Sequence, residues 1–253
     1  MNSEPTARLV ERAAQAARSG NVRSYLLDSA GSPNRVNEKT LRQGFARMRD
    51  EASICDQTPV AADLMRDLNG YYRTRFSVDK LARVVPVVYA AIASEGWWKN
   101  PPTHIGECSG PVADSLSALV TSALHRTEES GLNRPYSLLT KFLHFSFPDT
   151  FGIYDAQAAS SIQTWAYFSF PLSNDEWKRF AWGTIANTDG SGYGAVLEFY
   201  RLCWASAGDE RLADLRLAAQ ELSDEIDAPV SPLYVIDNLL WHAGGDPRVL
   251  GLL

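Results

Sequence analysis

Apolar residues recur at intervals of three and four along most of the chain, which places them on one face of an α-helix. The strict alternation typical of a half-buried β-strand is rare, so a nucleotide-binding parallel sheet has little room. The pattern therefore predicts an all-α protein. Its helices are expected at residues 6–19, 38–51, 60–69, 78–94, 112–128, 137–145, 156–168, 174–186, 195–207 and 210–225, with a further helix starting near Pro232.

Clusters of glycine, proline and asparagine separate these segments. They interrupt helices because proline lacks an amide donor and glycine favours turns. The break at residues 100–110 divides the sequence into an N-terminal helical lobe, residues 1–110, and a second helical lobe, residues 111–253. One compact domain is the open alternative. A crevice between two lobes is a natural place for a ligand.

The composition is that of an ordinary globular protein. The chain has 253 residues, of which 45% are hydrophobic and 21% charged, and this is enough to bury a sizeable core. No apolar run reaches the roughly 18 residues that suggest a membrane span, and the first residues are charged and amphipathic. We therefore expect a cytoplasmic protein with no membrane association.

Cysteine and histidine are too scattered to indicate a metal site. Cys55, Cys108 and Cys203 lie far apart and form no CxxC pair. Cys108 lies in a G-x-C-x-G pattern, but the preceding strand that a nucleophile elbow requires is missing. We expect no metal and no cofactor.

A lysine and an aspartate flank a turn in the second half of the chain. Lys141 lies on the predicted helix 137–145, Pro148 and Gly152 mark a loop, and Asp155 stands where the next helix begins. The two side chains can therefore converge across one helix-loop-helix. An amine and a carboxylate in this arrangement form a candidate active site.

The sequence around these residues, SLLTKFLHFSFPDTFGIYDAQAA, resembles the helix-hairpin-helix DNA glycosylase superfamily. Within that superfamily it is similar to the bacterial 8-oxoguanine DNA glycosylase-like proteins. The matching features are Thr140-Lys141, the apolar helix that follows, the Pro148 loop and Ile153-Tyr154-Asp155. The C-terminal YVIDNLLWHAGG is similar to the ending of such proteins. The resemblance implies a two-lobed helical fold of the DNA glycosylase type.

The chain departs from the family pattern before Lys141. The sequence there is GLNRPY, where the superfamily has an LPGVG-type glycine hairpin that holds a DNA phosphate. Arg134 in this segment can supply a positive charge.

The resemblance implies a role for each of the two side chains. A lysine at the position of Lys141 attacks the sugar C1′, and an aspartate at that of Asp155 assists departure of the base. A nucleophilic lysine must be neutral, and burial beside Phe142 and Phe145 is expected to lower the pKa of Lys141. A carboxylate at a helix N-terminus can stabilise the positive charge that develops on the deoxyribose. If the lysine stays charged, water attacks instead and no lyase activity follows.

Aromatic and polar side chains are expected to hold the extruded base by stacking and by hydrogen bonds to its edges. The net charge of −6 argues against a broad basic surface for DNA, but a few basic groups beside a pocket suffice. The predicted substrate-binding residues are Arg134, His144, Tyr154, Gln157, Trp165, Asp237 and Trp241.

The sequence thus predicts an enzyme that flips a damaged or modified base out of DNA and cuts its N-glycosidic bond, leaving an abasic site. Oxidised guanine, in DNA repair, is the first substrate that the resemblance implies, and a hypermodified base of phage DNA, in phage defence, stays open. The expected partner is DNA with a modified base, without an obligate protein partner. The alternative is a noncatalytic helical module that binds DNA or a protein, with Lys141 pointing away from any cleft and Asp155 exposed.

Overall fold

A computed structural model describes residues 1–20, 23–25, 27, 38–52, 56–72, 77–101, 104–107, 110–129, 136–172, 175–186 and 191–253. Regular structure in these ranges is entirely helical, so the predicted all-α class is confirmed. The α-helices are α1 (Glu4–Arg18), α2 (Glu38–Ala52), α3 (Thr58–Tyr71), α4 (Val78–Ser94), α5 (Gly110–Glu129), α6 (Tyr136–Ser146), α7 (Ala156–Ser169), α8 (Trp182–Ile185), α9 (Tyr193–Ile226) and α10 (Pro232–Ala243).

Local sequence chemistry accounts for several helix ends. The side chains of Ser77, Asp155 and Ser231 each accept a hydrogen bond from a backbone amide in the first turn of the helix that follows. Pro232 occupies the first position of α10, where the amide that proline lacks is not needed. Gly244 ends α10 in the left-handed conformation at φ 53°, which a residue without a Cβ adopts easily.

Most of the helices predicted from the sequence are confirmed within a few residues, but the helix predicted at 174–186 is wrong. The structure has a 3-10 turn at Asp175–Phe180 and then the single-turn helix α8. Phe180 is fully buried, stacked on Phe170 and edge-on to Trp165. Anchoring this ring in the core and the extended backbone of Ala181 interrupt the helical path.

The long helix α9 combines the two helices predicted at 195–207 and 210–225. Gly208 lies at their junction with φ 76° and ψ 161°, a conformation open to glycine and strained for other residues. The chain therefore changes direction at this point, between two helical segments.

Helix α1 packs along α9, α3 packs against α4, and α7 packs against α10. Buried apolar side chains from before and after residue 110 belong to one continuous cluster. The division into lobes at residues 1–110 and 111–253 stays a prediction. Within the described ranges, no helix combines the length and apolar character needed to cross a membrane.

Candidate functional site

A cavity of about 480 Å³ lies where α3, α6, α7 and α10 meet. Its volume falls within the roughly 300–1,000 Å³ typical of small-molecule sites. Lys141 and Asp155 both line it, so the convergence expected across the helix-loop-helix is confirmed. The wall consists of the aromatic residues Tyr25, Tyr71, Tyr72, Tyr234 and Trp241, the polar or charged residues Ser137, Lys141, Asp155, Gln157, Asp237 and Asn238, and Ile153, Ala156 and Ala158.

The loop between α6 and α7 brings the amine and the carboxylate to the same cavity. Its amides at Ile153 and Tyr154 donate hydrogen bonds to Asp237 Oδ2 at 3.1 Å and to Thr140 Oγ1 at 3.1 Å. The carbonyl of Gly152 accepts a hydrogen bond from the hydroxyl of Tyr193 at 2.7 Å. Side chains of α6, α9 and α10 thus hold successive residues of the loop.

Gly152 brings this loop against α9. A Cβ atom at this position would lie 2.0 Å from the ring of Tyr200, which is far inside any van der Waals contact. The loop therefore reaches its observed path only with glycine at 152.

Lys141 is buried, with 4% of its surface exposed. Its Nζ donates a hydrogen bond to Ser137 Oγ at 2.9 Å and lies 5.1 Å from the ring centre of Tyr72. Burial lowers the pKa of Lys141, while the charges of Asp155 and Asp237 act in the opposite direction. The predicted direction is confirmed, although the ring that the ammonium faces is that of Tyr72.

Asp155 is the N-cap of α7. Its Oδ1 accepts a hydrogen bond from the amide of Ala158 at 2.9 Å, and the residue is partly exposed. The carboxylate therefore lies at the positive end of the helix dipole and also borders the cavity. The cap fixes the orientation of the carboxylate through Oδ1 and leaves Oδ2 outside this hydrogen bond.

Asp237 is a second, deeper carboxyl group in the wall. It accepts hydrogen bonds from the hydroxyl of Tyr200 and the amide of Ile153, and 4% of its surface is exposed. Burial raises the pKa of Asp237 well above its usual range, and the charge of Asp155 adds to this, whereas the Ile153 amide and Lys141 oppose it. The environment therefore favours the neutral acid relative to an exposed aspartate.

His144 lies behind Asp237, fully buried. Its Nδ1 carries the proton, because it donates to the carbonyl oxygen of Phe151 at 2.6 Å. Burial lowers the pKa of His144 to about 3, and the nearby positive charge of Arg42 contributes. The imidazole is thus neutral, so its 3.6 Å contact with Asp237 Oδ2 is not an ion pair.

The substrate-binding residues predicted from the sequence divide into two groups. Gln157, Asp237 and Trp241 line the cavity together with Lys141 and Asp155. His144 and Trp165 do not: both are fully buried, and the Trp165 indole donates its N–H to Thr6 Oγ1 at 3.1 Å. Tyr154 is partly buried and stacks on Tyr136 outside the cavity wall, with ring centres 4.1 Å apart.

The placement of His144 and Trp165 in the core corrects their expected contacts with a base, whereas the role of Tyr154 stays a prediction. Satisfying a buried ring nitrogen with a core partner fixes His144 and Trp165 inside the protein, and ring stacking fixes Tyr154. Arg134 lies outside the described residues.

The sequence reasoning missed the tyrosines of the cavity wall. Tyr25, Tyr71 and Tyr72 come from the N-terminal half, far in sequence from Lys141. The hydroxyls of Tyr25 and Tyr71 are 3.4 Å apart. The adjacent pair at 71 and 72, where α3 ends, was the signal that the sequence offered.

Within the described residues, no three histidine, cysteine, aspartate or glutamate side chains are grouped closely enough to hold a metal ion. Comparison of the chain with protein-family models, with curated proteins and with solved structures gives no match. The geometry of the cavity therefore carries the functional argument.

Replacing His144 by asparagine is expected to flatten the dependence of folding stability on pH. Between about pH 3 and 6.5, His144 is protonated in the unfolded chain but neutral in the folded protein. The free energy of unfolding therefore rises with pH in this range. The asparagine amide can still donate to the Phe151 carbonyl but does not titrate. From pH 7.5 to pH 5, the wild type should lose about 2 kcal/mol more unfolding free energy than His144→Asn.

Urea denaturation at both pH values provides the measurement. Any difference between the two proteins at pH 7.5 reports packing alone, since the imidazole is then neutral in both states. If wild type and variant lose the same unfolding free energy, His144 takes up the proton in the folded protein as well. This outcome would contradict a neutral imidazole in the folded state.

Proposed function

We propose that this protein is a DNA glycosylase with a fold of the helix-hairpin-helix type. It flips a damaged or modified base of DNA into the cavity and cuts the N-glycosidic bond, leaving an abasic site. The observation that supports this most is that Lys141 and Asp155, the two residues singled out by the resemblance, line one cavity. In a noncatalytic module, Lys141 is expected to point away from the cavity.

The aromatic wall suits a flat, apolar ring with polar edges. Nucleobases stack on aromatic side chains regardless of their identity, and an extruded base needs compensation for the stacking it loses in the duplex. Trp241 is 40% exposed and borders the cavity, so its ring is available for such a contact. Gln157 and Asn238 offer amide groups for the base edge.

Asp155 stabilises the transition state in this proposal. Positive charge develops on the deoxyribose as the glycosidic bond lengthens, and a carboxylate fixed in advance lowers the energy of that charge without reorganisation. The hydrogen bond from Ala158 provides the fixation. The same carboxylate can orient an attacking water.

Lys141 is the candidate nucleophile. Burial increases the fraction of neutral amine at a given pH by lowering its pKa, and the neutral form is the one that attacks C1′. Attack forms a bond from Nζ to C1′ as the bond to the base breaks, and ring opening then gives a Schiff base. If the amine stays protonated, water attacks in its place and no lyase step follows.

Oxidised guanine is the first substrate proposed, for a role in DNA repair. A hypermodified base of phage DNA, for a role in defence, is the second. The partner in both cases is DNA that carries the modified base.

Replacing Asp155 by asparagine is expected to slow base release strongly while leaving the fold and DNA binding intact. Asparagine caps helices as well as aspartate does, so the bond to Ala158 is retained and only the charge is lost. We expect single-turnover release to fall about 100- to 1,000-fold, the usual range for loss of one preorganised electrostatic group. Duplexes carrying 8-oxoguanine or other modified bases are incubated with the protein, and alkali then reveals abasic sites.

Asp149→Asn is the matched control, because Asp149 lies in the same loop but is exposed and outside the cavity wall. Retained activity in Asp155→Asn would rule out the proposed role. Binding without base release by the wild type on every modified duplex would favour the noncatalytic module.

Covalent trapping tests Lys141 separately. With DNA containing an abasic site and cyanoborohydride, the initial rate of crosslinking is expected to pass through an optimum with pH, because attack needs the neutral amine whereas reduction needs the protonated Schiff base. The rising side of the optimum should lie at a lower pH than for an ordinary lysine, since the pKa of Lys141 is lowered. Lys141→Met should abolish trapping, whereas Lys99→Met, at an exposed position, should not.

No trapping in wild type, combined with base release that depends on Lys141, would identify a monofunctional enzyme in which water attacks. Trapping that persists in Lys141→Met would place the nucleophile elsewhere.

Replacing Trp241 by alanine is expected to weaken binding of DNA with an extruded base. Loss of one base-aromatic stack costs about 1–3 kcal/mol, which corresponds to roughly a 5- to 150-fold rise in Kd. Trp182→Ala is the control, because Trp182 is equally exposed, at 42% against 40%, but lies on α8 away from the cavity wall. Fluorescence anisotropy with an abasic-analogue duplex measures both, and equal effects would exclude a specific stack.

A further inference from the structure

A buried ion pair lies behind the tyrosines of the cavity wall. Glu38 and Arg42 are one turn apart on α2, with 0% and 4% of their surfaces exposed, and Arg42 Nη2 is 2.8 Å from Glu38 Oε1. Such a pair is a weak source of stability, because removing two charges from water costs about as much as their attraction returns. Its position next to the cavity suggests a role in the site.

Two tyrosine hydroxyls converge on Glu38. Tyr234 donates to Oε1 at 2.6 Å, and Tyr72 donates to Oε2 at 3.3 Å. Burial raises the pKa of both tyrosines, and the charge of Glu38 adds to the effect, so both hydroxyls keep their protons and act as donors. One carboxylate of α2 thus anchors a ring from the end of α3 and a ring from α10.

The two anchored rings face different cations. The Arg42 guanidinium lies 3.7 Å from the ring centre of Tyr234, and the Lys141 ammonium lies 5.1 Å from that of Tyr72. A cation over an aromatic face is attracted by the negative charge of the ring surface. The ring of Tyr72 and Ser137 Oγ therefore provide two contacts that favour the ammonium in one position.

We propose that Glu38 is a positioning residue for Lys141: its hydrogen bond to the Tyr72 hydroxyl holds the ring on which the lysine ammonium rests. The location of the amine is then set by α2 as well as by its own helix α6. The N-terminal half of the chain thereby contributes to the chemistry without carrying a reacting group. The significance of Lys141 rests on the proposed function, whereas the contacts themselves do not.

Packing is the competing explanation for the position of the ring. Tyr72 lies edge-on to Tyr71, with ring centres 4.8 Å apart, and edge-on to Phe145 at 6.2 Å. If these neighbours alone hold the ring, loss of the hydroxyl has no effect on Lys141. If Glu38 holds it, loss of the hydroxyl acts on Lys141 much as loss of the ring does.

Three variants separate these explanations: Tyr72→Phe removes the hydroxyl, Tyr72→Leu removes the ring, and Tyr234→Phe removes the other hydroxyl on Glu38. The readout is the pKa of Lys141, followed by the ¹³Cε shifts of labelled lysine in the protein without DNA. The chain has only five lysines, and Lys141→Met assigns the signal. Asp155 and Asp237, which also act on this ammonium, are present in all three variants.

Tyr72→Phe and Tyr72→Leu are both expected to lower the pKa of Lys141 by about half a unit, because the ammonium loses a stabilising ring contact. Tyr234→Phe is expected to leave it within about 0.1 unit, since that ring contacts Arg42 instead. A merely structural role for Glu38 predicts that the two phenylalanine variants behave alike.

A Tyr72→Phe protein that titrates as wild type would overturn the proposal in favour of packing. So would a Tyr234→Phe protein shifted as far as Tyr72→Phe, or a Tyr72→Leu protein with no shift. The titration needs no substrate, so absence of glycosylase activity leaves its outcome unaffected. Conversely, if the protein releases the base but the pKa of Lys141 is unchanged in the Tyr72 variants, the positioning role of Glu38 is wrong and the proposed function stands.

Discussion

The hydrogen bond from the Ile153 amide to Asp237 ties the loop after α6 to the last helix of the fold. Lys141 precedes this loop and Asp155 follows it, so the path of the loop decides whether the two groups share a cavity. Thr140 and Tyr193 hold its neighbouring residues in the same way. A backbone segment without regular structure thus gains a single conformation from side chains of three helices.

One amine and two carboxyl groups share the cavity wall in unequal environments. Lys141 and Asp237 are both buried, which disfavours the charged form of each, while Asp155 is partly exposed and held at a helix N-terminus. Their mutual charges partly compensate for burial. An amine whose pKa burial lowers and a carboxylate fixed by a helix cap are the two groups on which the proposed reaction depends.

Patterns that are local in sequence proved the most informative. The spacing of apolar residues located most helices, and the N-cap signal at Asp155 together with the short loop brought the amine and the carboxylate together. The spacing of apolar residues does not show which aromatic rings with a polar atom lie in the core. His144 and Trp165 are buried because the Phe151 carbonyl and Thr6 Oγ1 accept hydrogen bonds from their N–H groups. Those partners depend on tertiary structure. Glu38 and Arg42 show the same limit. Their spacing of four residues is that of a solvated ion pair on a helix surface, and the packing of α2 against α3 and α6 puts them in the interior.

Gly152 separates two properties of the site, the spacing of its amine and carboxylate and the shape of its aromatic wall. A side chain does not fit between this residue and Tyr200. The path of the main chain against α9 therefore sets the distance from the Lys141 amine to the Asp155 carboxylate. The rings of Tyr25, Tyr71 and Trp241 come from other segments. Exchanging these rings can therefore reshape what the cavity accepts, while the spacing of its amine and carboxylate stays fixed.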